Sequence, residues 1–237
     1  MQVGADPPSA ICSSSNTLIT ALPPPVRAEL LASCRGMPMQ SGKAVSEGEA
    51  QLVFFPETTI LSLVDSRGME LGLVGREGMT GWSILLGSMT HGIRCMAELN
   101  GTSLALPLAE LTRLCRASPP IRAMVLQFVE VAAAQMIGAI SAATHHGLTA
   151  RLARRLLMMH DRGSGDSYHI THSRLAEALA VRRASVTDRL HLLEGERVLR
   201  CTRNRVTILD RTALLAVAGG AYGETEQPHL GIMNSVG

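Results

Sequence analysis

Between residues 171 and 194, Arg182, Arg183, Ser185, Thr187, Asp188 and Arg189 gather forked, hydroxyl and acidic side chains into eight positions, with Thr171 and Arg174 just upstream. Groups of this kind suit duplex nucleic acid. A guanidinium pairs bidentately with a guanine edge or a phosphate, and short hydroxyls reach base edges and backbone oxygens. To act together they need a rigid carrier, and the apolar spacing supplies one. Leu175, Ala176 and Leu179 form a stripe on one short helix, and Val186, Leu190 and Leu193 form a stripe on a second. Ala180 and Val181 provide the small and apolar junction that a close helix crossing needs, so the segment reads as a helix-turn-helix. Val198–Thr202 and Val206–Leu209 then read as two strands joined by Arg203-Asn204-Arg205, where Asn tolerates positive φ. That hairpin is the wing of a winged helix.

Charge distribution supports this reading. The chain of 237 residues has a formal net charge of only +2, but Gly147–Arg211 holds thirteen arginines and no lysine against seven carboxylates, a local +6, and the remainder is −4. Arginine dominance fits bidentate phosphate and guanine contacts. One tryptophan, two tyrosines and three phenylalanines are too few for base-stacking platforms, so double-stranded rather than single-stranded nucleic acid is expected. The five cysteines, Cys12, Cys34, Cys95, Cys115 and Cys201, are scattered with no Cys-x-x-Cys pair, so no metal or cofactor is expected. Ser, His and Asp occur at no spacing that resembles a hydrolase elbow, and the chain does not read as an enzyme. No apolar run near ~20 residues and no signal-like start are evident, which predicts a cytoplasmic protein without a membrane partner.

Along the chain, residues 1–17 read as a loose tail and Leu18–Cys34 as a short helix with a turn at Pro23-Pro24-Pro25. From Met37 to Pro107, short β segments such as Leu52–Phe55, Ile60–Val64 and Leu71–Val74 suggest an antiparallel barrel or roll. Leu108–Arg116 predicts a short helix stopped by Ser118-Pro119-Pro120. A long helix follows from Ile121 to about His145, and its stripe of Met124, Phe128 and Val131, flanked by Val125, Ala132, Met136 and Ala139, is expected to be a dimer seam. Burial of that stripe against the chain's own β domain is the alternative. Leu148, Leu152, Leu156 and Met159 give a further amphipathic helix beneath the helix-turn-helix.

The order of roll, long helix and winged helix resembles the Crp/Fnr superfamily of bacterial transcription regulators over roughly residues 18–215. Arg151–Arg162, Ala180–Thr187 and Val206–Asp210 carry the resemblance most specifically, and in the sensor half Phe54–Thr58 and Gly75–Gly81 add to it. It implies an α+β fold: a cyclic-nucleotide-binding-domain-like roll at 18–118, a dimerisation helix at 119–146, a winged helix-turn-helix domain at 147–218 and a tail at 219–237. Cyclic-nucleotide binders in the superfamily use a Gly-Glu pair on ribose and an Arg followed by Ser or Thr on the cyclic phosphate. Here the matching positions are Gly81-Trp82 and Arg94-Cys95, a candidate effector pocket that has lost two polar partners. Cyclic nucleotide binding is therefore not expected, and Arg94 is expected to pair with Glu98 or Glu77 instead. Iron-sulfur sensing would have only Cys12 and Cys34, and haem sensing only His91. His145 and His146 end the long helix, where a cation complements the helix dipole.

In the reader, the family places an Arg, a Glu and a second Arg on base edges, and here Arg183, Ala184 and Asp188 stand at those positions. Arg183 is thus expected to read a guanine and the target to differ from that of other members. Ser185 and Thr187 would touch base or phosphate, and Thr171, Arg174, Arg182 and Arg189 would position the module on the backbone. The expected protein is a homodimeric, sequence-specific regulator on an imperfect palindrome, with an unidentified small-molecule effector and RNA polymerase as further partners. The rival expectation is a small-molecule sensor whose winged helix contacts protein.

Overall fold

The computed structural model describes residues 11, 13–45, 51–82, 93–223 and 226. Cys12 and His91, weighed above as ligands, lie outside them. Two short helices open the described fold, α1 (Thr17–Thr20) and α2 (Pro24–Ala32), divided where Pro23 and Pro24 interrupt the single helix that the sequence suggests. Six strands follow: β1 (Arg35–Met39), β2 (Leu52–Pro56), β3 (Leu61–Val64), β4 (Glu70–Val74), β5 (Arg94–Ala97) and β6 (Gly101–Pro107). They pair antiparallel as two three-stranded sheets, ordered β1-β6-β2 and β4-β3-β5. The roll's core is Val53, Phe54, Phe55, Leu61, Leu104 and Leu106 between the sheets, closed by α3 (Leu108–Ala117) and by the first half of α4 (Pro119–His145).

Pro119 and Pro120 occupy the first positions of α4, where their missing N–H groups cost nothing. Its stripe does not face outward. Met124, Val125, Phe128, Val131 and Ala132 belong to the roll core, Phe128 being 1% exposed, and the Gln135 amide bonds both N and O of Leu73 at 3.0 Å along β4. The expected dimer seam is thus the intrachain face, and the free face carries Leu126, Ala133, Ile137 and Ile140 instead. By length and a mean hydropathy of 1.7, α4 is also long and apolar enough to cross a membrane, contrary to the sequence reading; its apolar residues are divided between the roll core and this free face.

The sensor-half motif has a packing role. Gly75 lets Arg162 approach, since a Cβ there would lie 2.9 Å from that side chain, and a Cβ on Gly78 would meet the Phe128 ring at 2.4 Å. Between them Glu77 is buried and accepts from Arg162 Nε at 2.9 Å, and Thr80 Oγ1 accepts from Phe54 N at 3.0 Å.

The C-terminal half runs α5 (Leu148–Arg162), β7 (Ser167–Tyr168), α6 (His172–Ala178), α7 (Arg183–Gly195), β8 (Leu199–Thr202), β9 (Arg205–Ile208) and α8 (Arg211–Ala218). Its core unites Leu152, Leu156, Leu175, Val186, Leu190 and Leu193, and Ile60 and Leu73 of the roll join that same cluster. The strands order as β7-β9-β8; β7, two residues long, is too short to leave a sequence pattern, and α8 is an element not expected from the sequence. Both reader helices end alike. Val181 N bonds Ala176 O and Ala180 N bonds Glu177 O after α6; Val198 N bonds Leu193 O and Arg197 N bonds Glu194 O after α7. Each is a Schellman ending, with Ala180 at φ 53° and Arg197 at φ 59° in the left-handed position usually given to glycine. Asn204 takes φ 58° in the wing turn, as its type allows.

Because an L side chain in that region costs stability, Ala180→Gly should stabilise the chain by about 0.5–1 kcal/mol in urea unfolding. Destabilisation by this substitution would show that the turn is not built as described.

Candidate nucleic-acid interface

The first turn of α7 has exposed Arg182 as N-cap and exposed Arg183 as first helical residue, with no side-chain cap and no acidic residue there. Its leading N–H groups and the positive end of the helix dipole therefore share one surface with two guanidinium groups, an arrangement suited to phosphate. Asp188 and Arg189 are exposed one turn further on. Among the described residues, Arg182, Arg183, Asp188 and Arg189 make no side-chain hydrogen bond or ion pair within the chain. These four groups are unspent.

Others are already engaged. Thr187 Oγ1 lies 2.9 Å from His172 Nδ1 and donates to Arg183 O at 3.1 Å, which ties the first turn of α6 to the first turn of α7. Burial, followed by the charges of Arg183 and His191, lowers the His172 pKa and favours the neutral ring at this contact. Ser185 is half-buried. Thr171 caps α6 by accepting from Arg174 N at 3.1 Å, a structural task that leaves it exposed.

Arg174 does not reach toward solvent. Its Nε and Nη2 donate to Glu98 Oε1 of the roll at 3.1 and 2.6 Å, and Nη2 donates also to Ser62 Oγ at 2.9 Å. Arg155 is fully buried between Glu70 (2.8 Å) and Glu98 (2.9 Å). Burial opposes ionisation of Glu98, but Arg155 and Arg174 outweigh it and pull its carboxyl down to about 2; for Glu70, burial outweighs Arg155 and raises the pKa. Glu98 and Glu77 are therefore the partners of Arg155, Arg174 and Arg162, which corrects their expected pairing with Arg94. The sequence offered no sign of these contacts, since Glu98 and Arg174 are far apart in the chain and follow no common period.

The wing adds cations that the sequence reading used only as a turn. Arg203 and Arg205 are exposed beside Asn204, and Arg205 Nη2 lies 2.9 Å from His169 Nε2. A local excess of arginine at a strand junction was the signal available for them.

The four candidate effector positions do not share one surface. Gly81 takes φ 75° with Val53 behind it, and Trp82 packs partly against the roll core. Arg94 is exposed at the start of β5 and donates to Ser66 O at 3.5 Å, whereas Cys95, next along the strand, is buried in the core. Among the described residues no group of three or more His, Cys, Asp or Glu is placed to hold a metal. Burial pushes the thiols of Cys34 and Cys201 up to about 12 and about 11, with Glu57 and Glu194 adding to it, so both stay protonated.

Residues 150–217 match the family model of the Crp-like helix-turn-helix domain. None of the curated proteins matches the chain in sequence. In fold, the chain is similar to a Crp/Fnr-family transcriptional regulator from Eubacterium rectale, at TM-score 0.66 and 18% identity over 85% of this chain and 97% of that one. It is similar also to a Crp-family regulator from Thermus thermophilus, at TM-score 0.66 and 21% identity over 79% and 98%. A third similar fold is that of the c-di-GMP-responsive global regulator of Xanthomonas campestris, at TM-score 0.61 and 15% identity over 78% and 98%. Residues 150–217 thus form a Crp-like helix-turn-helix domain, and the chain as a whole shares the fold of those regulators.

Proposed function

We propose that the protein is a cytoplasmic homodimer that reads an imperfect palindrome in duplex DNA, entering successive major grooves with the N-terminal turns of its two α7 helices. The observation that carries this reading is the set of unspent, exposed groups on α7, Arg182, Arg183, Asp188 and Arg189, within the matched domain. Arg183 reads a guanine, Arg182 and Arg189 hold phosphates, and the wing arginines extend the backbone contact. A two-fold dimer then places its half-sites roughly 34 Å apart. Contact with RNA polymerase would turn occupancy into altered transcription.

Dimerisation uses the free face of α4. Leu126, Ala133 and Ile140 recur every seven residues with Ile137 between them, and Leu126, Ile137 and Ile140 are 53%, 62% and 68% exposed in the single chain. This spacing is a coiled-coil seam, and a second copy related by a two-fold axis covers it with the same residues. Ile140→Asp should place unpaired charges in the seam and give folded monomers by sedimentation. Phe128→Asp should instead unfold the roll, costing more than about 3 kcal/mol, because that ring is core. A tight dimer in Ile140→Asp would remove the seam from the account.

Arg183→Ala should cost about 1–3 kcal/mol on a selected operator and relax preference at one guanine per half-site. Arg182→Ala should weaken all duplexes nearly equally and flatten the salt slope by about one unit. Uniform loss in both would make Arg183 a phosphate contact. No change in either would favour the reading in which the winged helix binds protein.

A further inference from the structure

Glu98 is 4% exposed and takes two guanidinium groups at once. Arg155 holds one carboxylate oxygen at 2.9 Å, and Arg174 holds the other through Nε and Nη2 at 3.1 and 2.6 Å. Ser62 completes the set, donating to Glu98 Oε1 at 2.7 Å and accepting from Arg174 Nη2 at 2.9 Å. Glu98 and Ser62 belong to the roll, whereas Arg174 belongs to the first turn of α6. That turn is fastened to the reading turn of α7 through His172 and Thr187. A cation beside the DNA-reading surface is therefore spent on the sensor.

The two arginines differ in access. Arg155 has 2% of its side chain exposed and Arg174 has 16%, and a cleft of about 540 Å³ lined by Ser41, Asn100, His169, Thr171 and Glu177 opens onto Arg174 and Glu98. If Arg174 leaves, Glu98 keeps Arg155 and shares it with Glu70, whose pKa burial raises, so protonation of Glu70 can offset the lost cation and the departure costs less than stranding a carboxylate with no partner. A phosphate offers a guanidinium the same paired acceptor oxygens as a carboxylate.

We propose that Glu98 is an autoinhibitory stand-in for a DNA phosphate: it holds Arg174 and the reader on the roll, and a backbone phosphate of the operator exchanges with it. The inference rests on the DNA-reading function proposed above. In the clamped arrangement Arg174 cannot contribute to binding. In the released arrangement it adds one phosphate contact, and the reader is free to reorient with its mate.

The test uses the full chain, as wild type, Glu98→Gln, Arg174→Gln, the double variant and Ser62→Ala, titrated with a selected operator at several salt concentrations. Glu98→Gln should bind about tenfold tighter, the exchange no longer having to break a charge-assisted pair, and should keep the wild-type salt slope because Arg174 reaches the same phosphate in both; Arg174→Gln should flatten that slope by about one unit. The double variant should lose the affinity gain and keep the flattened slope. Ser62→Ala removes one acceptor from Arg174 but keeps the charges, so it should shift affinity in the same direction by less, and it decides the matter if Glu98→Gln does not fold. Wild-type affinity in folded Glu98→Gln, or a wild-type salt slope in Arg174→Gln, would overturn the proposal. If the wild type binds no duplex, the DNA-reading function fails by itself, and hydrogen exchange of the free protein judges the clamp: faster exchange in β5, β6 and α6 of Glu98→Gln supports it, and unchanged exchange rejects it.

Discussion

The buried guanidinium of Arg155 governs how the two halves of this chain meet. It enters the roll from α5 and is held between Glu70 and Glu98, and two more arginines of the C-terminal half, Arg162 and Arg174, reach Glu77 and Glu98 beside it. Ion pairs this dry contribute little net stability relative to apolar packing, but removing one partner leaves an uncompensated charge and costs about 3–5 kcal/mol. Their consequence is therefore geometric. Ile60 and Leu73 supply a non-directional apolar contact with the C-terminal core, and the arginines restrict that contact to one arrangement. Gly75 follows from the same constraint, because Glu77 reaches Arg162 only where that glycine leaves room.

The long helix α4 shows why some of this was legible and some was not. Its existence follows from its length, its apolar content and the prolines that begin it, but its orientation does not, since apolar residues cover both faces and periodicity alone cannot rank them. Phe128 and Met124 suit a dimer seam as well as Ile137 and Ile140 do; only the position of the roll decides, and it buries the former pair. The reader was legible for the opposite reason: Leu175, Leu179, Val186, Leu190 and Leu193 mark one face each on two short helices whose other faces are polar. Its turn was less so. Ala180 and Arg197 occupy left-handed positions without the glycine that would have marked them, leaving the backbone pattern to hold them there. The fate of Arg174 was invisible because local spacing identifies a charged face and says nothing of a carboxylate in another domain.

These features give α4 and α5 a joint role. One face of α4 closes the roll core, its free face offers the proposed dimer seam, and α5 carries Arg155 and Arg162, which fix the C-terminal half on the roll. A change in the roll near β3, β4 or the turn after β5 would act directly on Glu70 and Glu98. It would thus reach the reader along a short series of contacts, from Glu98 to Arg174 and from His172 to Thr187.

The most direct measurement is a structure of the protein on its selected operator. The account predicts a two-fold dimer with the α4 free faces together, Arg183 on a guanine edge, and Arg174 moved from Glu98 to a phosphate while Arg155 stays between Glu70 and Glu98. A complex in which α7 lies outside the major groove, or in which α7 is seated there with the Arg174–Glu98 pair intact, would contradict it.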